Sequence, residues 1–238
     1  MHNVFITATD TDAGKTYVSA LLLRALKASG LRVLGLKPIA AGVDADGRNA
    51  DAKILQAVSD GSPAYELINP IVLAPPVAPH LAAAQVGLQL DRRLLDQHLQ
   101  ETATAEVDFR LIEGAGGWLL PLSADEYLAD WVMSQQLPVV LVVGMKLGCL
   151  NHALLTAREL QRSGVKVLGW VANCVDPAML LREENIADLT ARLPWPRLAV
   201  LPYQKLAAPA AEMGAELPAA AVTLANALLT RLQAGCES

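Results

Sequence analysis

Short apolar runs alternate with helix-like segments along this chain, and the alternation restricts the fold more than any other feature. The runs have the length and aliphatic composition of parallel strands buried on both faces. They cover residues 3–7, 31–36, 109–112, 138–143, 165–172 and 198–201. Helix-like segments follow the first run and lie near 50–59, 91–104, 125–136, 150–163, 178–192 and 219–233. This pattern predicts an α/β fold, a single-domain doubly wound and mostly parallel sheet with helices on both faces.

The composition sets the size of the core and argues against several classes of partner. With 238 residues, 53% of them hydrophobic and 18% charged, we expect one domain over residues 1–238. A net charge of -5 argues against a nucleic-acid partner. No signal-peptide pattern follows Met1, and no apolar stretch is long enough to span a bilayer. We therefore expect a cytoplasmic protein without a membrane partner.

Cysteines and histidines give no sign of a disulfide framework or a zinc site. The three cysteines, Cys149, Cys174 and Cys236, lack Cys-x-x-Cys spacing, and the four histidines are scattered. Residues 61–90 stand apart, because they contain five prolines and no clear period. We expect them to form a long excursion near the active edge of the sheet.

The segment TATDTDAGKT at residues 7–16 lies between a predicted strand and a predicted helix. Gly14, Lys15 and Thr16 match the end of the phosphate-loop pattern Gly-x-x-x-x-Gly-Lys-[Ser/Thr], whose first glycine would fall on Thr9. Backbone N–H groups from Asp12 onward and the Lys15 ammonium suit a polyphosphate, and the Thr16 hydroxyl suits Mg²⁺. Without the flanking strand and helix, the same letters would fit an ordinary glycine-containing helix start.

Residues that follow the other strands extend this chemistry, because ligands of such sheets bind beyond the carboxyl ends of the strands. Glu113, at the end of an apolar run, is a candidate Mg²⁺ ligand. Asp51 is another, although helix capping or a first-turn charge explains it equally well. Lys37 is either a solvated surface lysine or a site residue, and its uncharged surroundings favour the site. Two lysines beside a metal can neutralise charge on a transferring phosphoryl group.

Eight segments, spread over nearly the whole chain, resemble the dethiobiotin synthetase family. They are TDTDAGKT (9–16), KPIAAG (37–42), RNADA (48–52), VAPHLAAA (77–84), EGAGGWLLPL (113–122), ADWV (129–132), LPVVLVVGMKLGCLNHALLT (137–156) and GWVANCV (169–175). The family's phosphate loop is one residue longer than the standard loop, so its first glycine corresponds to Ala8. Alanine there departs from the family pattern.

The resemblance implies a P-loop NTPase-like fold and a reaction that uses ATP, Mg²⁺ and CO₂ to close 7,8-diaminononanoate into dethiobiotin. One amine forms a carbamate, the carbamate oxygen takes the γ-phosphate, and the second amine attacks the mixed anhydride. The resemblance also implies a homodimer that holds the substrate carboxylate at its interface.

Matching positions carry the family's functional residues onto this chain. The implied catalytic residues are Lys37 and Lys15, and the implied metal ligands are Thr16, Asp51 and Glu113. The implied substrate-binding residues are Lys37, Ala41, Gly148, Cys149, Leu150 and Asn151. The implied ATP-binding residues are Asp12, Ala13, Gly14, Lys15, Thr16, Tyr17, Asp51, Glu113, Gly114, Ala115, Gly116, Asn173, Pro202, Tyr203 and Gln204. The sequence departs from the family pattern at Asp12, at Cys174, and at Ala41, where the family usually has serine.

Two nucleotide-dependent switches are alternatives of a different class. An ATPase of the partition or cell-division-positioning kind shares the loop and sheet, but it carries an extra lysine early in the loop, and residues 8–13 contain none. A guanine-nucleotide switch would use the Asn-x-x-Asp spacing of Asn173 and Asp176, but Cys174 stands where that motif has lysine.

Overall fold

The computed structural model describes residues 1–204 and 216–234. Within them the chain forms eight strands, numbered in order along the sequence. They are β1 (His2–Ala8), β2 (Val33–Leu36), β3 (Ile39–Ala41), β4 (Ile71–Leu73), β5 (Phe109–Glu113), β6 (Val139–Met145), β7 (Val167–Cys174) and β8 (Arg197–Leu201). Six of them build the central sheet in the order β2-β5-β1-β6-β7-β8, and all its pairings are parallel. The predicted parallel α/β sheet is confirmed.

The helices cover this sheet on both faces, as the burial of its strands requires. Every residue of β5, β6 and β7 is buried, which is typical of strands packed on two sides. The helices are α1 (Lys15–Ala28), α2 (Ala50–Val58), α3 (Tyr65–Ile68), α4 (Pro79–Gln85), α5 (Arg92–Glu101), α6 (Leu128–Ser134), α7 (Cys149–Arg162), α8 (Arg182–Arg192) and α9 (Ala219–Ala234). None of the helices in the described ranges is long and apolar enough to cross a membrane.

The excursion over residues 61–90 contains more regular structure than its prolines suggest. It holds α3, β4 and α4, and β4 pairs with β3 in a separate two-stranded parallel sheet, with Ile39 opposite Ile71. Pro79 opens α4, where a missing backbone N–H costs nothing. Strands of three residues are too short to show a period, so the sequence did not reveal this second sheet.

Element bounds differ from the predicted ones by a few residues. The strand predicted over 31–36 begins at Val33, and the strand predicted over 165–172 runs on to Cys174, so Asn173 lies inside β7. The helix predicted over 178–192 begins only at Arg182. Cys149 and Cys174 are free and buried, while Cys236 lies outside the described residues.

One hydrophobic core includes residues of both sheets, and aromatic rings pack within it near the segment that follows β5. The Phe5 ring packs edge-on against Trp118 and Trp131, with centroid distances of 6.4 and 6.5 Å. Such edge-to-face pairs stabilise a core beyond their area burial. They give the Gly-rich segment after Glu113 a firm base.

Candidate active site

A cleft of about 850 Å³ lies where β1, β2 and β5 end. Its walls come from the loop before α1, the start of α2, residues 76–79 of the excursion, and the segment after β5. Since β5 and β1 are neighbours and β2 pairs with β5, the three loops meet at one edge. Ala41 lines this cleft with Lys37, Asp12 and Tyr17.

Residues 9–14, which join β1 to α1 and are called the phosphate-like loop below, end in a tight turn at Gly14. Gly14 has a φ of +82°, and a Cβ there would collide with the side-chain amide of Asn173, so only glycine fits. Lys15 opens the helix and is buried, with its Nζ donating to the carbonyl of Gly116 at 2.7 Å. Burial lowers the pKa of Lys15, and the charge of Glu113 opposes that shift in part.

Lys37 is buried at the end of β2 and faces two carboxylates. Its Nζ lies 2.8 Å from Glu113 Oε1 and 3.2 Å from Asp51 Oδ2. Burial alone would lower the pKa of Lys37, but the two carboxylates outweigh burial and raise it. Lys37 is thus a buried lysine paired with two carboxylates inside the cleft, and not a solvated surface lysine.

Asp51 lies in the first turn of α2 but does not cap the helix. Asn49 is the N-cap, and its side chain accepts from the backbone N–H of Ala52 at 3.2 Å. The Asp51 carboxylate points to Lys37 instead. Burial would raise the pKa of Asp51, but the Lys37 ammonium and the Thr16 hydroxyl together lower it.

Glu113 has one engaged oxygen and one orphan oxygen. Thr16 Oγ1 donates to Glu113 Oε1 at 2.7 Å, and Lys37 donates to the same atom. Oε2 is buried without a hydrogen-bond partner among the described groups. Burying a carboxylate oxygen without a hydrogen-bond donor costs free energy, so Oε2 is a good candidate to bind a metal ion or another ligand.

The three oxygen-bearing side chains of Thr16, Asp51 and Glu113 fit a magnesium ion. Mg²⁺ prefers hard oxygen ligands, commonly one or two carboxylates, and retains several waters. Both carboxylates contact the same Lys37 Nζ, which brings them to one point, and the orphan Oε2 offers an unused lone pair.

The segment after β5 contributes backbone to the cleft. Ala115 and Gly116 line it, and Gly116 supplies the carbonyl that accepts from Lys15. Gly117 passes close to the Ala8 carbonyl, where a Cβ would lie 3.5 Å from that oxygen. A Cβ at Gly114 would instead meet the ring of Phe5, so this glycine allows the backbone to pack closely on the core below the site.

Asn173 lies beside the phosphate-like loop, residues 202–204 follow β8, and none of these residues lines the cleft. Asn173 is buried and donates from Nδ2 to the Ala13 carbonyl at 2.9 Å. Asn173 pairs in register with Leu201, the last residue of β8. The exposed residues Pro202, Tyr203 and Gln204 follow directly after Leu201.

The residues proposed from the sequence for the substrate carboxylate also lie outside this cleft. Gly148, with a φ of +93°, precedes α7, and Cys149, Leu150 and Asn151 form its first turn. Within one chain the structure therefore does not bring them together with Lys37.

A charged network that the sequence did not reveal ties the start of α7 to the phosphate-like loop. Asp10 accepts from Lys146 Nζ at 2.9 Å through one oxygen and lies 3.1 Å from His152 Nδ1 through the other. Lys146 and His152 together lower the pKa of Asp10 against the effect of burial, which is the largest single influence and would raise it. A hydrogen-bonded chain through Tyr65 and Asn69 behind the cleft also escaped sequence reasoning, because neither residue stands at a strand end.

This chain is similar in sequence to proteins of known name over most of its length. A family model described as an AAA domain matches residues 2–211. The ATP-dependent dethiobiotin synthetase BioD of Pseudoalteromonas translucida (strain TAC 125) is 48% identical over 208 residues, which cover 86% of this chain and 92% of that protein. The protein of the same name from Cellvibrio japonicus (strain Ueda107) is 48% identical over 206 residues, with 85% and 90% coverage.

Comparison with solved structures supports the fold. The cell division ATPase MinD of Pyrococcus furiosus has a TM-score of 0.62 at 21% identity and covers 97% of this chain and 99% of its own. Cobyrinic acid a,c-diamide synthase from Mycobacterium smegmatis, solved with bound ADP and magnesium, has a TM-score of 0.57 at 17% identity, with 99% and 96% coverage. At these identities the likeness shows a P-loop NTPase-like fold alone.

Proposed function

Because the chain belongs to the ATP-dependent dethiobiotin synthetase family, we propose that the cleft is the site where it converts 7,8-diaminononanoate, CO₂ and ATP into dethiobiotin, ADP and phosphate. The chain is an ATP-dependent ligase of biotin biosynthesis. One observation carries the assignment of the cleft. A buried ammonium, Lys37, meets both candidate metal-binding carboxylates beside the phosphate-like loop.

The loop before α1 binds the polyphosphate. Its backbone N–H groups stand at a helix N-terminus, where the helix dipole favours negative charge, and Lys15 adds a full positive charge. Thr16, Asp51 and Glu113 would hold Mg²⁺, which supplies charge neutralisation for the phosphates when bound. The remaining proposed ATP contacts, Asn173 and residues 202–204, lie on the β7 and β8 side of the loop.

Lys37 acts on the acceptor. In the first step, one substrate amine attacks CO₂, an N–C bond forms, and the amine proton leaves to solvent. The carbamate oxygen then attacks the γ-phosphorus, and the bond to the ADP oxygen breaks. The raised pKa of Lys37 keeps it charged, so it stabilises the negative charge on the carbamate and on the transferring phosphoryl group.

Ring closure needs only positioning of the second amine. This amine attacks the carbonyl carbon of the mixed anhydride, a second N–C bond forms, phosphate departs with the bonding electrons, and the amine proton leaves with it. The apolar wall formed by Ile54, Pro76 and Val77 suits the aliphatic part of the substrate, because it removes that part from water.

The position of the α7 N-terminus supports a homodimer. The positive end of its helix dipole suits a carboxylate, but the first-turn residues lie outside the cleft of their own chain. In the proposed dimer, Gly148, Cys149, Leu150 and Asn151 bind the carboxylate of the substrate in the cleft of the partner subunit. The proposed location of the enzyme is the cytoplasm.

The decisive experiment is ADP release with and without diaminononanoate and bicarbonate, with dethiobiotin identified by mass. We expect ADP release to require both. ATP hydrolysis that is indifferent to the diamine would contradict this function and favour a switch ATPase.

A further inference from the structure

A buried hydrogen-bonded chain lies behind the cleft and joins the two elements that carry Lys37 and Asp51. It passes through Tyr65 of α3 and Asn69, which is the residue after α3. Both are buried, with 5% and 1% of their surface exposed. Neither lines the cleft, so neither can touch a substrate there.

The Tyr65 hydroxyl uses its donor and an acceptor site on two different elements. It accepts from the backbone N–H of Asn49 at 2.8 Å and donates to Asn69 Oδ1 at 2.9 Å. Asn49 is the N-cap of α2, and Asp51 follows two residues later. The phenol therefore fixes the point from which the helix carrying Asp51 begins.

Asn69 continues the chain to the backbone of Lys37. Its Nδ2 donates to the Lys37 carbonyl at 2.6 Å and to the Ile71 carbonyl at 3.2 Å. The Lys37 N–H in turn donates to the Ile68 carbonyl at 2.8 Å. Both backbone groups of Lys37 are thus held by the segment that follows Tyr65.

Together these bonds close a ring around the site. From the Lys37 carbonyl the ring runs through Asn69, the Tyr65 phenol and the α2 cap, and it returns from the Asp51 carboxylate to the Lys37 ammonium at 3.2 Å. Burial raises the pKa of Tyr65, so the phenol stays protonated and able to donate. The guanidinium of Arg48 lies 4.9 Å from the centre of its ring and packs the phenol in place.

We propose that Tyr65 and Asn69 are positioning residues for the ligase reaction, which hold the Lys37 ammonium and the Asp51 carboxylate at a fixed separation. This inference rests on the proposed function of the cleft. Displacement of a reacting group by about 1 Å can lower a rate about a hundredfold, so a network that fixes two such groups affects turnover without touching the substrate.

Tyr65→Phe tests the proposal, since it keeps the ring and removes only the hydroxyl. We expect kcat per folded molecule to fall about tenfold or more, with the KM for ATP changed less than about threefold. In the presence of ADP, Mg²⁺ should raise the Tm of this variant much less than it raises the Tm of wild type, because Asp51 is no longer fixed. The Tm increase from ADP alone should remain.

Thr102→Val is the matched control for a merely structural loss. Thr102 is fully buried, and its hydroxyl accepts from Arg110 at 2.6 Å and donates to the His98 carbonyl at 3.0 Å, away from the cleft. Thr102→Val should lower Tm while leaving kcat and the Mg²⁺-dependent increase in Tm unchanged. If Tyr65→Phe behaves in the same way, the proposal is overturned.

Asn69→Asp is the second variant. It tests the same positioning role if Tyr65→Phe fails to fold. Aspartate keeps the acceptor for the phenol but cannot donate to the Lys37 carbonyl. We expect the same loss of kcat, and the double variant should be little worse than either single variant, because both break one chain of bonds. Wild-type kcat in a folded Asn69→Asp, or failure of both variants to fold, would overturn the proposal.

The thermal measurement separates this inference from the assigned reaction. If wild type released no diamine-dependent ADP, the proposed function would be wrong. The Mg²⁺-dependent increase in Tm with ADP would still show whether Tyr65 and Asn69 position Asp51.

Discussion

Two buried cations, Lys37 and Arg110, lie in different parts of the same sheet and have contrasting partners. Lys37 is 4% exposed at the end of β2, and Arg110 is 3% exposed near the start of β5. The Arg110 guanidinium donates to neutral oxygens, namely Asn3 Oδ1 at 2.9 Å, the Leu99 carbonyl at 2.9 Å and the Thr102 hydroxyl at 2.6 Å. Burial lowers the pKa of Arg110, whereas the carboxylates around Lys37 overcome burial and raise its pKa.

The difference shows how a structural charge and a functional charge are built. Neutral acceptors bind Arg110 and fasten α5 to the sheet, and no buried Arg110 atom lacks a partner in the described part of the chain. Lys37 shares its partner Glu113 with Thr16, and the other oxygen of Glu113 has no donor in the described part of the chain. The network at the cleft is incomplete without a ligand.

The largest expected effect tests this comparison directly. Lys37→Met should abolish dethiobiotin formation while ATP binding is largely retained, because the ammonium acts on the carbamate and the phosphoryl group. Loss of such a contact costs on the order of 3 kcal/mol in the barrier, or about a hundredfold or more in rate. Turnover and ATP affinity are measured on the same preparation, and near-normal turnover would remove Lys37 from the mechanism.

Arg110→Met is the counterpart at the other end of β5. Its acceptors would lose their donors inside the core, so the free energy of unfolding should fall by about 3 kcal/mol. Turnover per folded molecule should stay at the wild-type value. Urea unfolding and an active-site-normalised assay check the two halves, and a selective loss of turnover would break the comparison.

The next effect in size concerns the carboxylates Asp51 and Glu113. Asp51→Asn and Glu113→Gln should each raise the Mg²⁺ concentration needed for half-maximal rate sharply. Ligands of one ion act as a unit, so the double variant should be little worse than the worse single variant. Wild-type behaviour of Asp51→Asn at limiting Mg²⁺ would leave Asp51 with only a first-turn charge role.

The pH dependence of stability is a smaller effect, and it concerns the charged pair of the cleft, Asp51 and Lys37. The pKa of Asp51 is lowered on folding, so its stabilising contribution is present above its unfolded value of about 3.9 and is lost as the pH falls through the folded value. The pKa of Lys37 is raised, so its contribution is complete below about 10.4 and is lost as the pH rises through the folded value.

Urea unfolding of wild type and Asp51→Asn between pH 3 and 8 measures the acid side. The difference in free energy of unfolding should shrink as the pH falls below about 4. A difference that stays constant to pH 3 would show that Lys37 does not stabilise the ionised form of Asp51.

The smallest effect is expected at Ala41, on the cleft wall. A serine hydroxyl there would add one neutral hydrogen bond to the substrate, worth about 1 kcal/mol where water can replace it. Ala41→Ser should therefore lower the KM for the diamine by less than about tenfold and leave kcat similar. If wild type lacked diamine-dependent turnover and Ala41→Ser gained it, the native acceptor would be another molecule.

The sequence predicted the central sheet well because its strands are buried on both faces and appear as continuous aliphatic runs. It also predicted Lys15, Thr16, Lys37 and Glu113 as candidates, since residues after strands in such a sheet share one edge. The three-residue strands β3 and β4 carry no period, and they were missed.

Other features depend on contacts that no local pattern records. Whether Asn49 or Asp51 caps α2 is decided by where the helix begins, and sequence leaves that point uncertain by one or two residues. The bonds from Tyr65 to Asn49 and from Asn69 to Lys37 span 16 and 32 positions of sequence. They arise only once the excursion folds behind the cleft.

The contact between Gly14 and Asn173 couples two positions that lie far apart in the sequence. The Asn173 amide fills the space where a side chain at position 14 would stand, and it also holds the Ala13 carbonyl, 160 positions away in sequence. A smaller residue at position 173 would remove this clash but not the positive φ of Gly14, and it would release the Ala13 carbonyl. A chimaera that joins the first half of this chain to the second half of a relative should therefore keep glycine at position 14 together with asparagine at position 173.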